Sequence, residues 1–222
     1  MQFKQTLLAL AIGVTAMSAH AATLKNGDIL TIAAGTGTAT SSSFTPTGGS
    51  FFAMLGAGGA LIPGSGTSGG IVIGATTTPG QIDQAWSFAG NPGLDFAATP
   101  ITGGTTTGLN FSGWTVYYGG GNINMGSNAW TTPTKSFDYV TNGNTFTNGV
   151  ANFSWDGVYG HTYTLTYHAA VPSNSPAYAN IKYDLNLTGT VVAAPVPEAS
   201  TYGMMVVGLG LVGAAVMRRR KV

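Results

Sequence analysis

Strict alternation of apolar and polar side chains marks the stretch His161-Thr-Tyr-Thr-Leu-Thr-Tyr-His168. The same two-residue period occurs in Ile181-Lys-Tyr-Asp-Leu-Asn-Leu-Thr188 and in Ala151-Asn-Phe-Ser-Trp-Asp156. Successive side chains of a β-strand point to opposite faces, so this pattern predicts antiparallel strands with one buried and one polar face. The dipeptides Asn148-Gly149 and Asp156-Gly157 are typical hairpin turns beside such strands.

Shorter apolar segments predict further strands in the N-terminal half, with glycine-rich stretches between them. These segments are Ile29–Ile32, Ser50–Leu55, Ile71–Ile73, Ala85–Phe88 and Trp114–Tyr118. We expect about nine or ten strands and no soluble helix. Short antiparallel strands of this number bury their apolar faces by packing two sheets together, so the predicted fold is an all-β, antiparallel β-sandwich of jelly-roll or immunoglobulin-like type.

The first 21 residues have the features of a secretory signal peptide. Lys4 provides a positive charge, and Leu7–Met17 form a short apolar helix. Ala19 and Ala21 flank one residue in a small-x-small cleavage site. The mature chain is therefore expected to begin at Ala22.

The last residues predict a transmembrane helix. Ala199–Met217 carries no charge and as a helix would be about 28 Å long, close to the hydrocarbon thickness of a bilayer, about 30 Å. Arg218, Arg219, Arg220 and Lys221 follow as a cytoplasmic stop. The alternative is a buried core helix, but no polar face exists between Gly203 and Met217. Three parts result: a signal peptide over 1–21, an exported domain over 22–195 and a C-terminal segment over 196–222.

A Pro-Glu dipeptide, a short apolar helix and an arginine cluster follow one another in this C-terminal segment. The order resembles the PEP-CTERM sorting signal of Gram-negative bacteria that make extracellular polysaccharide. The sorting motif is carried by Val196, Pro197, Glu198 and Ala199, with alanine where the family pattern has proline. The resemblance implies that an exosortase-type transpeptidase of the inner membrane recognises Pro197-Glu198 and removes the helix. The domain would then pass from a transient membrane anchor to the cell surface or extracellular matrix.

Charge is sparse in the predicted domain. Three lysines face six aspartates between residues 22 and 195, so the net charge is 3 − 6 = −3. No basic patch exists to bind nucleic acid. The chain has no cysteine, which excludes disulfides and thiolate metal sites.

The titratable residues do not predict an enzyme. His161 and His168 are seven residues apart, so on one strand they point to opposite faces, and neither has a carboxylate close by in sequence. The domain lacks glutamate, and its aspartates are scattered. Asp156 is expected in a turn and Asp184 at an outward strand position. We therefore expect no cofactor. A Ca²⁺ site is the one metal site that the sequence allows, formed by Asp138, Asp156 and Asp184 with loop carbonyls if these residues converge.

Aromatic residues are the better functional indication. Trp86 and Trp155 are expected in the core. Sugars stack on aromatic faces while amides bind their hydroxyls, and the candidate carbohydrate contacts are Trp130, Tyr117 and Tyr118, beside Asn122 and Asn124. The sequence thus predicts an exported surface or biofilm-matrix protein, structural and associated with exopolysaccharide. The alternatives are a carbohydrate-binding module and, less favoured, a secreted hydrolase with three converging aspartates.

Overall fold

The computed structural model describes most of residues 22–195, the predicted domain, and little of the two terminal segments. The described residues are 22–40, 44–54, 57–64, 69–76, 84–93, 99–118, 121–126, 128–129, 149–175, 178–195, 205–207 and 209. The signal cleavage site, the sorting motif, the cytoplasmic stop, Asp138 and Trp130 all lie outside these residues. Within the described part, no helix has both the length and the apolar character needed to span a bilayer.

Seventeen strands are described. Their bounds are β1 Ile29–Thr31, β2 Thr36–Ala39, β3 Phe44–Gly48, β4 Phe51–Met54, β5 Ala57–Ala60, β6 Ile62–Pro63, β7 Gly70–Val72, β8 Trp86–Phe88, β9 Asn91–Gly93, β10 Gly103–Gly104, β11 Gly108–Asn110, β12 Thr115–Tyr118, β13 Gly121–Asn124, β14 Asn128–Ala129, β15 Val150–Ser154, β16 Thr162–Ala170 and β17 Lys182–Val192. Every segment predicted as a strand is one. The expected number was too low, because strands such as β5, β9 and β10 are short, rich in glycine and without a two-residue period.

All strand pairs are antiparallel, which confirms the predicted class. A ten-stranded sheet runs in the order β10-β11-β15-β16-β17-β1-β7, with β14 paired to β16, β4 to β17 and β5 to β4. Three smaller sheets are formed by β12-β13, by β2-β3 and by β6-β8-β9. The finer arrangement as a sandwich stays a prediction.

The centre of the large sheet is the pair β16–β17, as its alternating sequence predicts. Nine residue pairs join these strands, from Thr162 opposite Thr190 to Ala170 opposite Lys182. Tyr163, Leu165 and Tyr167 all lie on one face and are buried, together with the opposed residues of β17. This face carries the main core, which also includes Trp86 and Trp155, so both tryptophans are core residues as expected.

Side chains replace backbone partners where β17 passes from β4 to β1. Residues 183–186 of β17 pair with β4, and residues 191–192 pair with β1. Between them, the backbone N–H of Thr188 donates to Ser50 Oγ at 3.0 Å, and that of Thr190 donates to Thr31 Oγ1 at 2.8 Å. Gly189 lies between these two contacts, where an added Cβ would be 1.8 Å from the carbonyl oxygen of Thr31. Only glycine fits at this crossing.

The two ends of the described domain meet at the buried carboxylate of Asp28. Its Oδ2 accepts hydrogen bonds from the backbone N–H of Lys25 at 2.8 Å and from the hydroxyl of Tyr159 at 3.0 Å. Its Oδ1 accepts one from the backbone N–H of Ala194 at 3.0 Å. Because Asp28 follows the first turn of the domain and Ala194 follows the last strand, one side chain fastens both ends.

Candidate functional site

The hairpin β12–β13 carries the described part of the predicted carbohydrate contact. Val116 pairs with Ile123, and both pack towards the core. The next pair is Tyr117 opposite Asn122, and strand alternation places it on the other, outer face. Asn122 is exposed and Tyr117 is half-buried. A tyrosine ring and a primary amide therefore lie side by side on this face of the hairpin.

A second amide extends the same face. Asn124 pairs with Thr115, two positions along from Tyr117, and is exposed. Its Oδ1 accepts a hydrogen bond from the backbone N–H of Gly126 at 3.0 Å, which holds the side chain in place. For Tyr118 the structure describes the strand position alone, so its predicted contact is untested. We call Tyr117, Asn122 and Asn124 the hairpin face.

The base of this hairpin is held by buried aromatic residues. Trp114 precedes β12 and is 1% exposed, with its ring centroid 5.7 Å from that of Trp86 and 5.7 Å from that of Phe111. On the other side of the hairpin, the Tyr167 hydroxyl donates to the carbonyl of Gly126 at 3.0 Å, and the Tyr183 hydroxyl donates to the carbonyl of Met125. Burial raises the pKa of both tyrosines, so both hydroxyls keep their protons for these bonds.

The opposite face of the large sheet holds four buried polar side chains on three neighbouring strands. Asn152 of β15 lies opposite Thr166 of β16, and His168 of β16 lies opposite Asp184 of β17. Thr166 and His168 are two positions apart on one strand, so all four side chains project from one face. We call these four residues the polar cluster. All are buried, and His168 Nδ1 donates to Asp184 Oδ1 at 2.5 Å.

The polar cluster corrects the prediction for Asp184, which was expected at an outward position. Asp184 is 1% exposed. Its neighbours along the sheet explain this, since Ala53 of β4 lies opposite Asp184 and belongs to a second buried cluster with Phe44 and Phe51. The polar side of the alternating pattern is therefore covered at this end of β17. No feature of the sequence distinguishes it from a solvent-exposed face.

The second histidine also has a carboxylate partner. His161 Nδ1 donates to Asp156 Oδ2 at 2.7 Å, and both side chains are more than half exposed. Asp156 Oδ1 accepts from the backbone N–H of Val158 at 2.9 Å, so Asp156 is the turn residue that was predicted. The hydrogen bond from His161, followed by that from Val158, lowers the pKa of Asp156. The sequence places no carboxylate next to either histidine, and the turn and the strand pairing bring one to each of them in space.

The two described aspartates of the predicted Ca²⁺ site have different histidine partners. Asp156 binds His161 at an exposed turn, and Asp184 binds His168 inside the sheet. Within the described residues, no group of three or more metal-ligating side chains comes together. The hydrolase alternative needed three converging aspartates, and it stays a prediction because Asp138 lies outside the described residues.

Comparison with known proteins identifies the C-terminal segment. Residues 195–221 match the family model of the PEP-CTERM protein-sorting motif. No curated protein and no solved structure matches the chain. The matched segment contains Val196 to Ala199 and Arg218 to Lys221, and it begins directly after Ala194, whose backbone N–H binds Asp28. The motif indicates an exported protein that is processed at the membrane by an exosortase.

Proposed function

We propose that the chain is a structural component of the cell surface or the extracellular matrix, associated with exopolysaccharide and without enzymatic activity or a cofactor. The observation that carries the proposal is the sorting-motif match over residues 195–221. By this match, the C-terminal segment is a sorting signal that is recognised and then cleaved off, as other C-terminal signals are. The protein is then the substrate of the sorting enzyme, and its function resides in the exported β-domain.

The chemistry of the domain supports a role in a polysaccharide matrix. Its surface is rich in threonine, asparagine and glycine, and its net charge is 3 − 6 = −3 over residues 22–195. Such a surface offers hydroxyls and amides to neutral glycans with little electrostatic attraction to nucleic acid. We propose that the two sides of the main core are sheets packed as a β-sandwich, which would give the rigid body that such a role needs.

The sorting step is tested by mass spectrometry of the mature C-terminus from the native cell. We expect the wild-type domain to end close to Pro197-Glu198 and to lack residues up to Val222. A variant with Pro197→Ala and Glu198→Ala should keep the intact segment and stay in the membrane fraction. Pro63→Ala, which changes an exposed proline of the domain, is the matched control and should be processed as the wild type is. An intact C-terminus on wild-type protein recovered outside the cell contradicts the proposal.

Carbohydrate binding is a second candidate function, because the hairpin face places a tyrosine beside two amides. Contacts whose substitution by alanine costs more than about 1 kcal/mol of binding free energy are a minority, but they are enriched in tyrosine and tryptophan. We therefore expect Tyr117→Ala to weaken binding to exopolysaccharide from the producing cell about tenfold, since about 1.4 kcal/mol is a factor of ten.

The binding measurement is a polysaccharide pull-down with the full chain. Trp130→Ala tests the other predicted contact, and Tyr178→Ala removes an exposed tyrosine from the turn between β16 and β17 as a control. Equal binding by Tyr117→Ala and Tyr178→Ala would exclude the hairpin face as the site. Absence of binding by the wild type to any glycan would leave the structural role alone.

A further inference from the structure

Two members of the polar cluster are buried, and each has a side-chain oxygen without a hydrogen-bond partner. Asn152 is 5% exposed and Thr166 is 3% exposed. In the part of the chain that the structure describes, neither Asn152 Oδ1 nor Thr166 Oγ1 has a hydrogen-bond partner. Native proteins leave few buried polar atoms in this condition, and each such atom calls for an explanation. Here the two atoms belong to residues that lie directly opposite each other on β15 and β16.

The other two members supply a base beside this pair. His168 follows Thr166 by two positions on β16, so its side chain projects from the same face about 6.7 Å further along the strand. Asp184 Oδ1 accepts a hydrogen bond from His168 Nδ1, which orients the ring. A hydroxyl, a carboxamide and a histidine oriented by a carboxylate thus occupy one small buried area. These are the groups of an activated nucleophile, and Thr166 Oγ1 and His168 Nε2, which are not hydrogen-bonded to each other in the structure, must approach each other for the proton transfer.

We propose that Thr166 and Asn152 form an intramolecular ester cross-link. Thr166 Oγ1 attacks Cγ of the Asn152 carboxamide, the new Oγ1–Cγ bond forms, and the Cγ–Nδ2 bond breaks. His168 takes the hydroxyl proton and delivers it to the departing nitrogen, which leaves as ammonia. Atoms and charge balance without an oxidant or a co-reactant, because one alcohol and one amide give one ester and one ammonia. The reaction occurs once in each molecule, so it is a self-modification and not turnover.

The strand register allows this link. An ester between these residues has two atoms between the Cβ atoms, the same number as a disulfide, whose Cβ atoms are about 3.8 Å apart. Directly opposed residues on antiparallel strands have Cβ atoms about 4.5–5.5 Å apart. The strands therefore need to approach by about 1 Å. The link would fasten β15 to β16 in an exported chain that has no cysteine for a disulfide.

Peptide mapping of the purified full chain tests the proposal. An endoproteinase that cleaves before aspartate separates residues 138–155, which contain Asn152, from residues 156–183, which contain Thr166. We expect the two peptides to remain joined and their combined mass to be lower by one ammonia, and mild alkali to separate them. Separate peptides of unchanged mass would overturn the proposal. Loss of ammonia with separate peptides would indicate a succinimide at Asn152 and would overturn it equally.

Variants assign the roles. Thr166→Val should abolish the joined peptides, Thr166→Ser should keep them, and Thr164→Val, a change at an exposed neighbour on β16, should have no effect. Removal of a general base typically slows a reaction by about 10²–10⁴-fold, so His168→Gln should delay formation of the link by that factor after refolding. Asp184→Asn, which removes the positioning carboxylate, should also slow the link while the near-ultraviolet circular dichroism stays that of the folded chain. Link formation at the wild-type rate in folded His168→Gln would refute the role of His168.

Discussion

Asp28 is expected to be the residue whose substitution most loosens the ends of the exported domain. Its carboxylate accepts three hydrogen bonds, from Lys25, Tyr159 and Ala194, and it is 1% exposed. Asp28→Asn keeps the size and shape of the side chain but removes the charge. In its best orientation the amide oxygen keeps the two bonds that Oδ2 accepts. The amide nitrogen then faces the N–H of Ala194, so one acceptor is replaced by a donor.

The expected cost follows from these three bonds. Hydrogen bonds to a charged group contribute about 1.5–3 kcal/mol each, against about 1 kcal/mol for neutral ones. Two bonds are weakened and one is lost with its donor left buried, so we expect Asp28→Asn to lower the free energy of unfolding by about 3 kcal/mol. For a chain of this size, about 1 kcal/mol shifts Tm by about 2–4 °C, which gives a decrease in Tm of about 6–12 °C.

Thermal unfolding followed by circular dichroism measures this effect. Asp156→Asn is the matched control, since the Asp156 carboxylate accepts two hydrogen bonds but is exposed. This substitution should leave Tm close to that of the wild type. Tyr159→Phe removes one of the three bonds and should have an intermediate effect. Hydrogen exchange should also become faster around Lys25 and Ala194 in Asp28→Asn. If Asp28→Asn and Asp156→Asn have the same Tm, the ends are not held by this carboxylate.

Three further predictions concern the sheet, the buried tyrosines and the exposed turn. Gly189→Ala places a Cβ against the carbonyl of Thr31 and should lower the free energy of unfolding, measured with urea, by about 3 kcal/mol. Gly104→Ala meets open space and should be tolerated. Equal urea midpoints for the two variants would contradict the requirement for glycine at this crossing. Burial raises the pKa of three core tyrosines, so above about pH 10 the unfolded state releases protons that the folded state keeps. The free energy of unfolding should therefore fall by up to about 1.4 kcal/mol per pH unit for each tyrosine. These tyrosines are Tyr163, Tyr167 and Tyr183. Urea midpoints that do not change between about pH 9 and pH 12 would refute this linkage. His161→Ala removes the largest cause of the lowered pKa of Asp156, so the carboxyl titration in NMR should move upward, and an unchanged titration would show that another contact lowers it.

The strands with a two-residue period could be predicted because their pattern depends on one buried face alone. The alternation in β16 and β17 gives both the strands and their core residues, and Tyr163 and Leu165 are buried as expected. Strands such as β10, Gly103–Gly104, have no side-chain pattern and exist because β11 pairs with them. Their position depends on contacts between distant residues, which a local pattern does not contain.

The candidate sites also divide into those with a local sequence signal and those formed by residues that are distant in sequence. The C-terminal segment could be recognised from sequence because its signal is continuous, over residues 195–221. Tyr117 and Asn122 could be grouped from the sequence because they are close in sequence as well as in space. The polar cluster was missed, because Asn152 and Asp184 occupy the polar positions of ordinary alternating strands. The sheet order places β15, β16 and β17 side by side, and only the burial of their polar side chains in the folded chain reveals the cluster.

The position of Ala194 limits how the sorting enzyme can reach its motif. Ala194 is fixed to the domain through Asp28, and Glu198 is four residues further along the chain. An extended chain spans at most about 3.6 Å per residue, so the four residues from Ala194 to Glu198 give a tether of at most about 14 Å. The enzyme must therefore act beside the domain surface, or the bond between Asp28 and Ala194 must open first to extend the tether. If it opens, Asp28→Asn should speed C-terminal processing in the cell while it lowers Tm. If the enzyme acts on the closed form, the substitution changes Tm alone.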